Sequence, residues 1–363
     1  MQSTRFRNVI VFGDSLSDTG LMASSIIGKL ASAFGAMTVN PTGRYSDCRN
    51  WTDHMFEAAT GGESLVMANA SISKKLTSKH QSFSPDSGWG QSSDLWFRYA
   101  NYAVGGATGG IPHAIAHKCS LTTMKNEVNA FRKDFSSLGI TDENFLFIVW
   151  FGANDLYTAG LPATRMSEVA IKIADKRRKE LASIVGASAS NAHFIYINMG
   201  LPLSAARYQE MVNSAKAKYQ TSANEDKAKR IFDNVRQQIN NFESGAMLFN
   251  HTLREITERN DDMYVDMASL LKPESMTNLY EQLHLLKGVQ AAGTSNQFID
   301  SCNYDIIMGN KTKVSTSDKA HPTDRVYRVV WQKICEALWE RGYTFGTLPV
   351  AKGTNCTHFC TRL

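Results

Sequence analysis

Three short apolar runs constrain the fold of this chain more than any other feature. They are Asn8–Phe12, Phe145–Phe151 and His193–Asn198. Short runs that are apolar throughout are typical of strands covered on both faces, as in parallel sheets with helices on either side. Asn101–Val104 and Met263–Asp266 are weaker strand candidates. The sequence therefore predicts a mostly parallel central sheet.

The stretches between these runs have the spacing of apolar residues that is typical of helices. Ser167–Val185 predicts one helix, and Ala205–Glu258 predicts two or three, because the sequence Ser-Gly-Ala at 244–246 interrupts it. Val326–Arg341 predicts a last amphipathic helix. The residues of that helix expected to face the core are Val329, Val330, Ile334, Leu338 and Trp339. Strands that alternate with helices indicate an α/β fold.

Two irregular segments interrupt this alternation. Residues 71–94 are rich in Ser and Lys, and residues 272–316 contain scattered glycines. Long loops of this kind often form lids or binding surfaces, although some are only mobile. Neither a repeat nor a linker divides the chain. We therefore expect one domain over residues 1–363, with a core at about 8–342 and a short tail at 343–363.

Composition argues against several classes of protein. The 39 basic and 34 acidic residues give a net charge of +5, and the basic residues are dispersed apart from Lys176–Lys179, which we interpret as a solvated helix face. No nucleic-acid partner is therefore predicted.

No apolar run approaches the roughly 18 to 20 residues of a membrane-spanning helix, and Met1–Arg7 lacks the pattern of a signal peptide. Of the cysteines, only Cys356 and Cys360 are close in sequence, which fits a small disulfide loop better than a metal site.

A polar turn follows the first apolar run directly. Its sequence, Gly-Asp-Ser-Leu-Ser-Asp at 13–18, places Ser15 at the carboxyl end of a buried strand. In open α/β sheets, ligands bind at that edge. A helix expected after the turn would direct its N-terminal N–H groups to the same place and favour negative charge there. Taken alone, the fragment is equally an ordinary turn, because Asp and Ser are common N-cap residues.

Ser15 becomes a candidate nucleophile because the chain also contains a matching base. A serine nucleophile needs a base that removes its proton and an acidic group that orients the base. Among the aspartates, only Asp318 is followed three positions later by a histidine, His321, just before the last predicted helix. Asp318 could hold the Nδ1 proton of His321 and leave Nε2 facing Ser15. An isolated pair with this spacing is also commonly a loop cap.

Two further clusters fit an oxyanion hole, the set of donors that stabilises the negative oxygen formed in acyl transfer. Gly105 and Gly106 follow a short strand candidate, and glycine lets a backbone N–H approach a substrate closely. Asn154 follows the strongest strand and has a side-chain amide that can donate. Read singly, the glycines could serve tight packing and Asn154 a turn. Together, the four clusters predict acyl transfer at a serine.

These four clusters resemble, in the same order, the sequence blocks of the GDSL/SGNH hydrolase family. Block one is similar to residues 11–20, block two to 101–106, block three to 152–155 and block five to 318–322. The resemblance implies a three-layer, flavodoxin-like α/β sandwich and a serine mechanism that requires neither a metal nor an organic cofactor. The site residues that it implies are the triad Ser15, His321 and Asp318, with the backbone N–H groups of Ser15 and Gly106 and the side chain of Asn154 as oxyanion donors.

Some roles stay open within this resemblance. Gly105 is an alternative to Gly106 as donor, and Asp14 and Asp155 are expected to act structurally, through caps and loop hydrogen bonds. The insertion of roughly Gln282 to Thr316 before block five is a departure from the short loop of the family, so the resemblance predicts no particular lid. The Gly-x-Ser-x-Gly sequence of α/β-hydrolases is absent, which argues against that fold.

The segment 43–46, Gly-Arg-Tyr-Ser, with Trp51 is similar to a stretch of the lipase-like subgroup. That subgroup includes bacterial phospholipases A, lysophospholipases and glycerophospholipid–cholesterol acyltransferases. The resemblance implies an acyl-ester substrate, first of all a phospholipid or lysophospholipid, acyl transfer to an alcohol such as cholesterol as a further activity, and a secreted or translocated bacterial protein. Peripheral contact with a membrane surface is expected through the aromatic residues Trp89, Trp96, Phe97 and Tyr99 if they are exposed, although core packing is the commoner fate of such residues.

Two alternatives to this function stay open. The first is a carbohydrate or small-molecule acetylesterase, which the same site would serve with a shallower acyl pocket. The second is a catalytically silent binding protein on the same scaffold, because a fold alone does not fix a function.

Overall fold

The structure, a computed structural model, describes residues 4–25, 39–40, 42–61, 65, 81–82, 95–110, 122–138, 143–186, 191–271 and 320–348. Several features singled out in the sequence lie outside these residues. They are most of the irregular segment 71–94, all of 272–316, Trp89, Asp318 and the cysteine pair of the tail.

The described strands form a central sheet in the order β3-β4-β2-β5-β6-β7, and a small second sheet pairs β1 with β8. The bounds are β1 Thr4–Arg5, β2 Asn8–Gly13, β3 Gln81–Ser82, β4 Arg98–Asn101, β5 Phe145–Trp150, β6 Ala192–Ile197, β7 Met263–Val265 and β8 Tyr343–Thr344. In this sheet, the five neighbouring strands β4, β2, β5, β6 and β7 are parallel, and the short edge strand β3 runs antiparallel to β4. The predicted α/β fold with a mostly parallel sheet is confirmed.

Helices cover both faces of this sheet. Their bounds are α1 Leu21–Ser24, α2 Trp51–Thr60, α3 Met124–Leu138, α4 Met166–Ile171, α5 Arg178–Ile184, α6 Ala206–Thr221, α7 Glu225–Arg259, α8 Met267–Leu270 and α9 Asp324–Glu340. A π-helical segment, Lys172–Arg177, joins α4 to α5 without a break, so the predicted helix at 167–185 is confirmed. A second π-helical segment, Asn154–Thr158, follows β5.

The alternation of side chains along each buried strand builds two hydrophobic cores. In β2, Ile10 and Phe12 join the core under α3, α4 and α7. Val9 and Val11 join the core under α2 and α9. Because both faces of the strand are covered, β2 is apolar throughout and not alternating. This arrangement places the strand that precedes Ser15 in the middle of the molecule, with its carboxyl end beside that of β5.

The predicted break at 244–246 is wrong. Helix α7 continues through Gly245 from Glu225 to Arg259, and the chain instead breaks between α6 and α7. A Cβ at Gly245 would lie 2.8 Å from Leu156 Cδ1 and 3.2 Å from Ala163 Cα. The glycine therefore serves close packing of the helix against the loop after β5, and not termination of the helix.

Other boundaries differ from the sequence prediction in smaller ways. Strand β4 begins at Arg98, three residues before the predicted start, because Arg98 pairs with Asn8 of β2 while its guanidinium binds Glu143. In α9 the predicted core residues are buried except Trp339, which is half-buried. The predicted tail starts inside the core, since β8 pairs with β1 and Phe345 is buried in the core beneath α2 and α9.

Candidate active site

Ser15 lies in a tight turn at the carboxyl end of β2. The backbone N–H groups of Ser17 and Asp18 both donate to the carbonyl of Asp14, at 3.0 Å each. The N–H of Leu16 donates to Asp14 Oδ1 at 3.0 Å. Only 9 % of Ser15 is exposed. The helix expected directly after the strand is thus one closed turn, and α1 begins later, at Leu21.

His321 contacts Ser15 across 306 positions of sequence. Its Nε2 lies 2.7 Å from Ser15 Oγ, which is hydrogen-bonding distance. The histidine stands three residues before α9, whose apolar face is buried in the core beside β2. The helix therefore fixes the position of the imidazole relative to the strand that ends at Ser15. Asp318, the predicted orienting acid, lies outside the described residues.

The glycine pair after β4 lies beside this turn. The N–H of Gly105 donates to Asp18 Oδ2 at 2.7 Å, so Gly105 is already engaged. Gly106 has a φ of +79°, in the left-handed region that favours glycine. Within the described residues, neither the Gly106 N–H nor the Ser15 N–H donates to another group. This geometry favours Gly106 over Gly105 as a donor to a substrate.

Asn154 begins the π-helical segment after β5. Its Oδ1 accepts from Thr158 Oγ1 at 2.9 Å, which fixes which end of the amide carries the oxygen. Its Nδ2 donates to the carbonyl of Ala107 at 3.1 Å and lies 3.4 Å from Asp14 Oδ2. The amide donor is therefore held against both the glycine loop and the turn of Ser15.

Asp155, next to Asn154, links the same two loops through its carboxylate. It is completely buried and accepts from the N–H groups of Gly109 at 2.7 Å and Gly110 at 2.9 Å. These bonds hold the loop after β4 against the loop after β5. The geometry matches the structural role expected for this aspartate.

Two buried carboxyl groups lie beneath the turn. Burial raises the pKa of Asp14 from 3.8 to about 7, although the Leu16 N–H and the charge of His321 oppose the rise. Burial also raises the pKa of Glu127 well above its usual range, and its Oε2 accepts from the N–H of Gly13 at 3.1 Å. Sequence reasoning missed Glu127. The available signal was a charged residue on the apolar side of α3, between Met124 and Phe131.

The segment around Tyr45 closes the site from the other side. The ring of Tyr45 packs on the imidazole of His321, with ring centroids 4.9 Å apart. A Cβ on Gly105 would meet Tyr45 Oη at 2.2 Å, so the same ring also packs on the glycine loop. Trp51 is buried, and its Nε1 donates to Ser17 Oγ at 3.1 Å. The segment from Gly43 to Trp51 thus contacts both the histidine and the nucleophile turn.

A buried ion pair holds this segment in place. Arg44 is 2 % exposed and binds Asp53 through Nε at 3.1 Å and through its terminal nitrogen at 2.7 Å. The same guanidinium donates to the carbonyls of Thr19 at 2.9 Å and Thr42 at 2.8 Å. Nearby Cys48 is disulfide-bonded, with a partner outside the described residues. Arg44 therefore ties the turn after Ser15 to the start of α2.

A second charged cluster supports the start of α9. Asp324 Oδ1 accepts from the backbone N–H and Nε of Arg49, at 3.1 Å each, and lies 3.4 Å from His54 Nε2. Burial alone would raise the pKa of Asp324, but the charges of Arg49 and His54 outweigh it and hold this pKa well below its usual range. Sequence reasoning missed this cluster as well. It connects α2 to α9 three residues after His321.

Three of the four aromatic residues expected to touch a membrane surface if exposed are buried or half-buried, and Trp89 lies outside the described residues. Phe97 and Tyr99 are buried in the core, so they cannot touch a membrane. Trp96 is half-buried between the guanidinium groups of Arg7, at 4.7 Å, and Arg98, at 5.0 Å. Within the described part of the chain, core packing accounts for Phe97 and Tyr99, and membrane contact through Trp89 stays a prediction.

A comparison with known families decides the classification. The profile of the GDSL-like lipase/acylhydrolase family matches residues 9–334, which include Ser15, the glycine loop, Asn154 and His321. The chain belongs to this family. Membership in the GDSL-like lipase/acylhydrolase family makes the protein a hydrolase, with serine esterase or lipase activity in general and ester substrates. No curated protein is similar enough in sequence to be matched to the chain. Among the helices that the structure describes, none is both long and apolar enough to cross a bilayer.

Proposed function

We propose that this member of the GDSL-like family is a serine hydrolase that cleaves the acyl esters of phospholipids or lysophospholipids. The observation that carries the serine mechanism is the 2.7 Å distance between His321 Nε2 and Ser15 Oγ. A base within hydrogen-bonding reach of a hydroxyl is the arrangement that activates a serine. The phospholipid substrate rests on the segment around Tyr45, which resembles the lipase-like subgroup and packs on His321.

In the proposed mechanism, His321 removes the proton of Ser15 while Ser15 Oγ attacks the ester carbonyl. The N–H groups of Ser15 and Gly106 and the amide of Asn154 stabilise the negative oxygen of the tetrahedral intermediate. His321 then protonates the leaving alcohol. Water, activated by the same imidazole, releases the acyl group from the serine, and an alcohol such as cholesterol in place of water would give acyl transfer. Asp318 is proposed to orient His321 through Nδ1.

Substitution of the triad tests the mechanism. Ser15→Ala and His321→Ala should each abolish nearly all ester turnover, and the double variant should be little worse than either, because members of a catalytic unit act together. A fluorophosphonate should label the wild type and not Ser15→Ala. Retention of more than a few per cent of the activity by purified Ser15→Ala would overturn the assignment, and absence of labelling in the wild type would favour a silent binding protein.

The pH profile tests the orienting acid separately. The reaction needs neutral His321, so activity should fall on the acid side. A negative Asp318 favours the imidazolium, and Asp318→Asn should therefore lower kcat and move the acid limb to lower pH. An unchanged acid limb would mean that another carboxylate orients His321.

Substrate profiling tests the ester class. Fatty-acid release from mixed phospholipids and lysophospholipids, with and without cholesterol, should exceed the turnover of acetylated sugars. Esters with acyl chains of increasing length should be cleaved faster than acetyl esters. A preference for acetyl groups would identify an acetylesterase instead and would leave the serine mechanism intact.

A further inference from the structure

A helical hairpin extends away from the core on the side of the sheet that carries Ser15. It consists of α6 and the first part of α7, residues 206–240, and we call it the helical arm. Its base is an aromatic contact three residues after Asn154. There the ring of Tyr157 lies 5.4 Å from that of Tyr208 and 5.1 Å from that of Phe242.

The direction of the arm follows from the course of α7. The helix ends at Arg259, just before the amino end of β7, and Phe249 packs at Gly152, just past the carboxyl end of β5. The part of α7 that precedes Phe242 therefore extends beyond the carboxyl edge of the sheet. At a rise of 1.5 Å per residue, the 18 residues from Glu225 to Phe242 span about 25 Å between the first and the last. The arm thus projects by roughly that distance past the edge where Ser15 and His321 meet.

The two helices of the arm pack mainly on each other. Ala215 and Ala228 are buried between them, and the rings of Tyr219 and Phe232 are stacked with centroids 5.8 Å apart. Most other side chains between 213 and 240 are exposed. A helix needs an apolar partner along one face, and here the second helix supplies it. The remaining faces of the arm point away from the described core.

The outer part of the arm, residues 216–230, is basic. Its five basic residues, all exposed, are Lys216, Lys218, Lys227, Lys229 and Arg230. Against them stand two acidic residues, Glu225 and Asp226, both in the first turn of α7, where carboxylates offset the helix dipole. None of the five forms an ion pair with another residue that the structure describes. The outer part therefore has a net charge of +3.

We propose that the outer part of the helical arm docks this protein on an anionic phospholipid surface. The inference rests on the proposed function, because a lipid substrate places the target of the site in such a surface. Basic side chains near an anionic bilayer each strengthen binding roughly fivefold, and the effect weakens with salt. Because the arm starts beside Asn154, contact at its tip brings the carboxyl edge of the sheet toward the bilayer. Docking and catalysis would then use one side of the molecule.

Charge reversal at the tip tests this surface. The variant carries Lys216→Glu, Lys218→Glu and Lys229→Glu. A matched control reverses as many charges elsewhere, with Lys133→Glu on α3 and with Lys176→Glu and Lys179→Glu on the helical stretch before β6. The last two lie near the amino edge of the sheet. Binding is measured by sedimentation with vesicles of phosphatidylcholine alone or with 30 mole per cent phosphatidylglycerol added. Ser15→Ala is present in every protein used there, so that the vesicles stay intact.

We expect the protein to bind the anionic vesicles and not those of phosphatidylcholine alone. Salt should weaken this binding. The tip variant should bind at least tenfold more weakly than the wild type, and the control should bind as well as the wild type. With Ser15 restored, all three proteins should hydrolyse a soluble short-chain ester equally, which also shows that the tip variant is folded. Equal vesicle binding by tip variant and wild type, or equal losses in tip variant and control, would overturn the proposal. Absence of ester turnover in the wild type would refute the proposed function instead, since sedimentation does not depend on catalysis.

Discussion

Asp14 allows a quantitative test of the buried acid beneath the nucleophile turn. Only 1 % of this residue is exposed, and burial raises its pKa from 3.8 to about 7. The folded protein therefore keeps a proton on Asp14 that the unfolded chain releases above pH 3.8. The stability linked to this proton is complete below that pH and is lost as the pH rises through about 7. The difference between the two pKa values corresponds to roughly 4 kcal/mol in the free energy of unfolding.

Asp14→Asn removes the titration and keeps most of the geometry. The asparagine oxygen can still accept from the N–H of Leu16, and the side chain cannot ionise. The free energy of unfolding of the variant, minus that of the wild type, should therefore rise by roughly 4 kcal/mol between pH 4 and pH 8. Glu127 and Asp18, whose pKa values burial also raises, titrate in both proteins and largely cancel in the difference.

The assay is urea unfolding at constant ionic strength, followed by circular dichroism at several pH values from 4 to 8. The decisive quantity is the change of the difference with pH, and not its value at any one pH. A difference that stays constant within about 0.5 kcal/mol would refute the reasoning, because it would mean that Asp14 is already ionised in the folded protein at pH 4.

Three further predictions concern the surroundings of the site. Asn154→Ala should lower kcat by about a hundred- to a thousand-fold with little change in KM, and a raised KM at normal kcat in steady-state kinetics would contradict a role as oxyanion donor. Gly105→Ala should lower kcat strongly, because its Cβ would meet Tyr45 Oη at 2.2 Å and displace the ring from the histidine. Adding Tyr45→Ala should relieve the clash in that protein and restore its thermal stability, and full activity of Gly105→Ala alone would be inconsistent with the close packing. Arg44→Met should cost about 3–5 kcal/mol of stability, because it leaves Asp53 buried without its partner, and a loss below 1 kcal/mol in urea unfolding would show that the pair is not needed.

The sequence predicted the strands best where both faces of a strand are buried. β2, β5 and β6 were recognisable because a short run that is apolar at every position is typical of a strand covered by helices on both sides. The predicted start of β4 was three residues too late, because the strand begins at Arg98 and a charged residue is not typical of a buried strand. Only the ion pair with Glu143 explains why Arg98 can stand there. Gly245 was wrongly interpreted as a helix break, because the glycine is required by close packing against the loop after β5. Local patterns do not contain such contacts.

The candidate site followed the same division. Ser15 and His321 were predicted as candidates from their neighbours in sequence, and the structure brings their side chains together. Glu127 was not found, and for Arg44 only its segment was singled out and not its contacts. Each acts on a backbone group far away in the chain, Glu127 on Gly13 and Arg44 on Thr19. From sequence alone, a charged residue is expected to be exposed to solvent, and only the fold shows which groups surround it.

The separation of Ser15 from His321 has a consequence for biosynthesis. The nucleophile turn leaves the ribosome first, followed by the glycine loop and Asn154, and the histidine comes 306 residues after the serine. The helix that positions the imidazole also covers one face of the sheet, so the growing polypeptide lacks both the base and that cover. If His321 acts as proposed, a nascent chain contains a serine without the group that activates it. A cell that makes this hydrolase would then not be exposed to its activity until translation has passed His321.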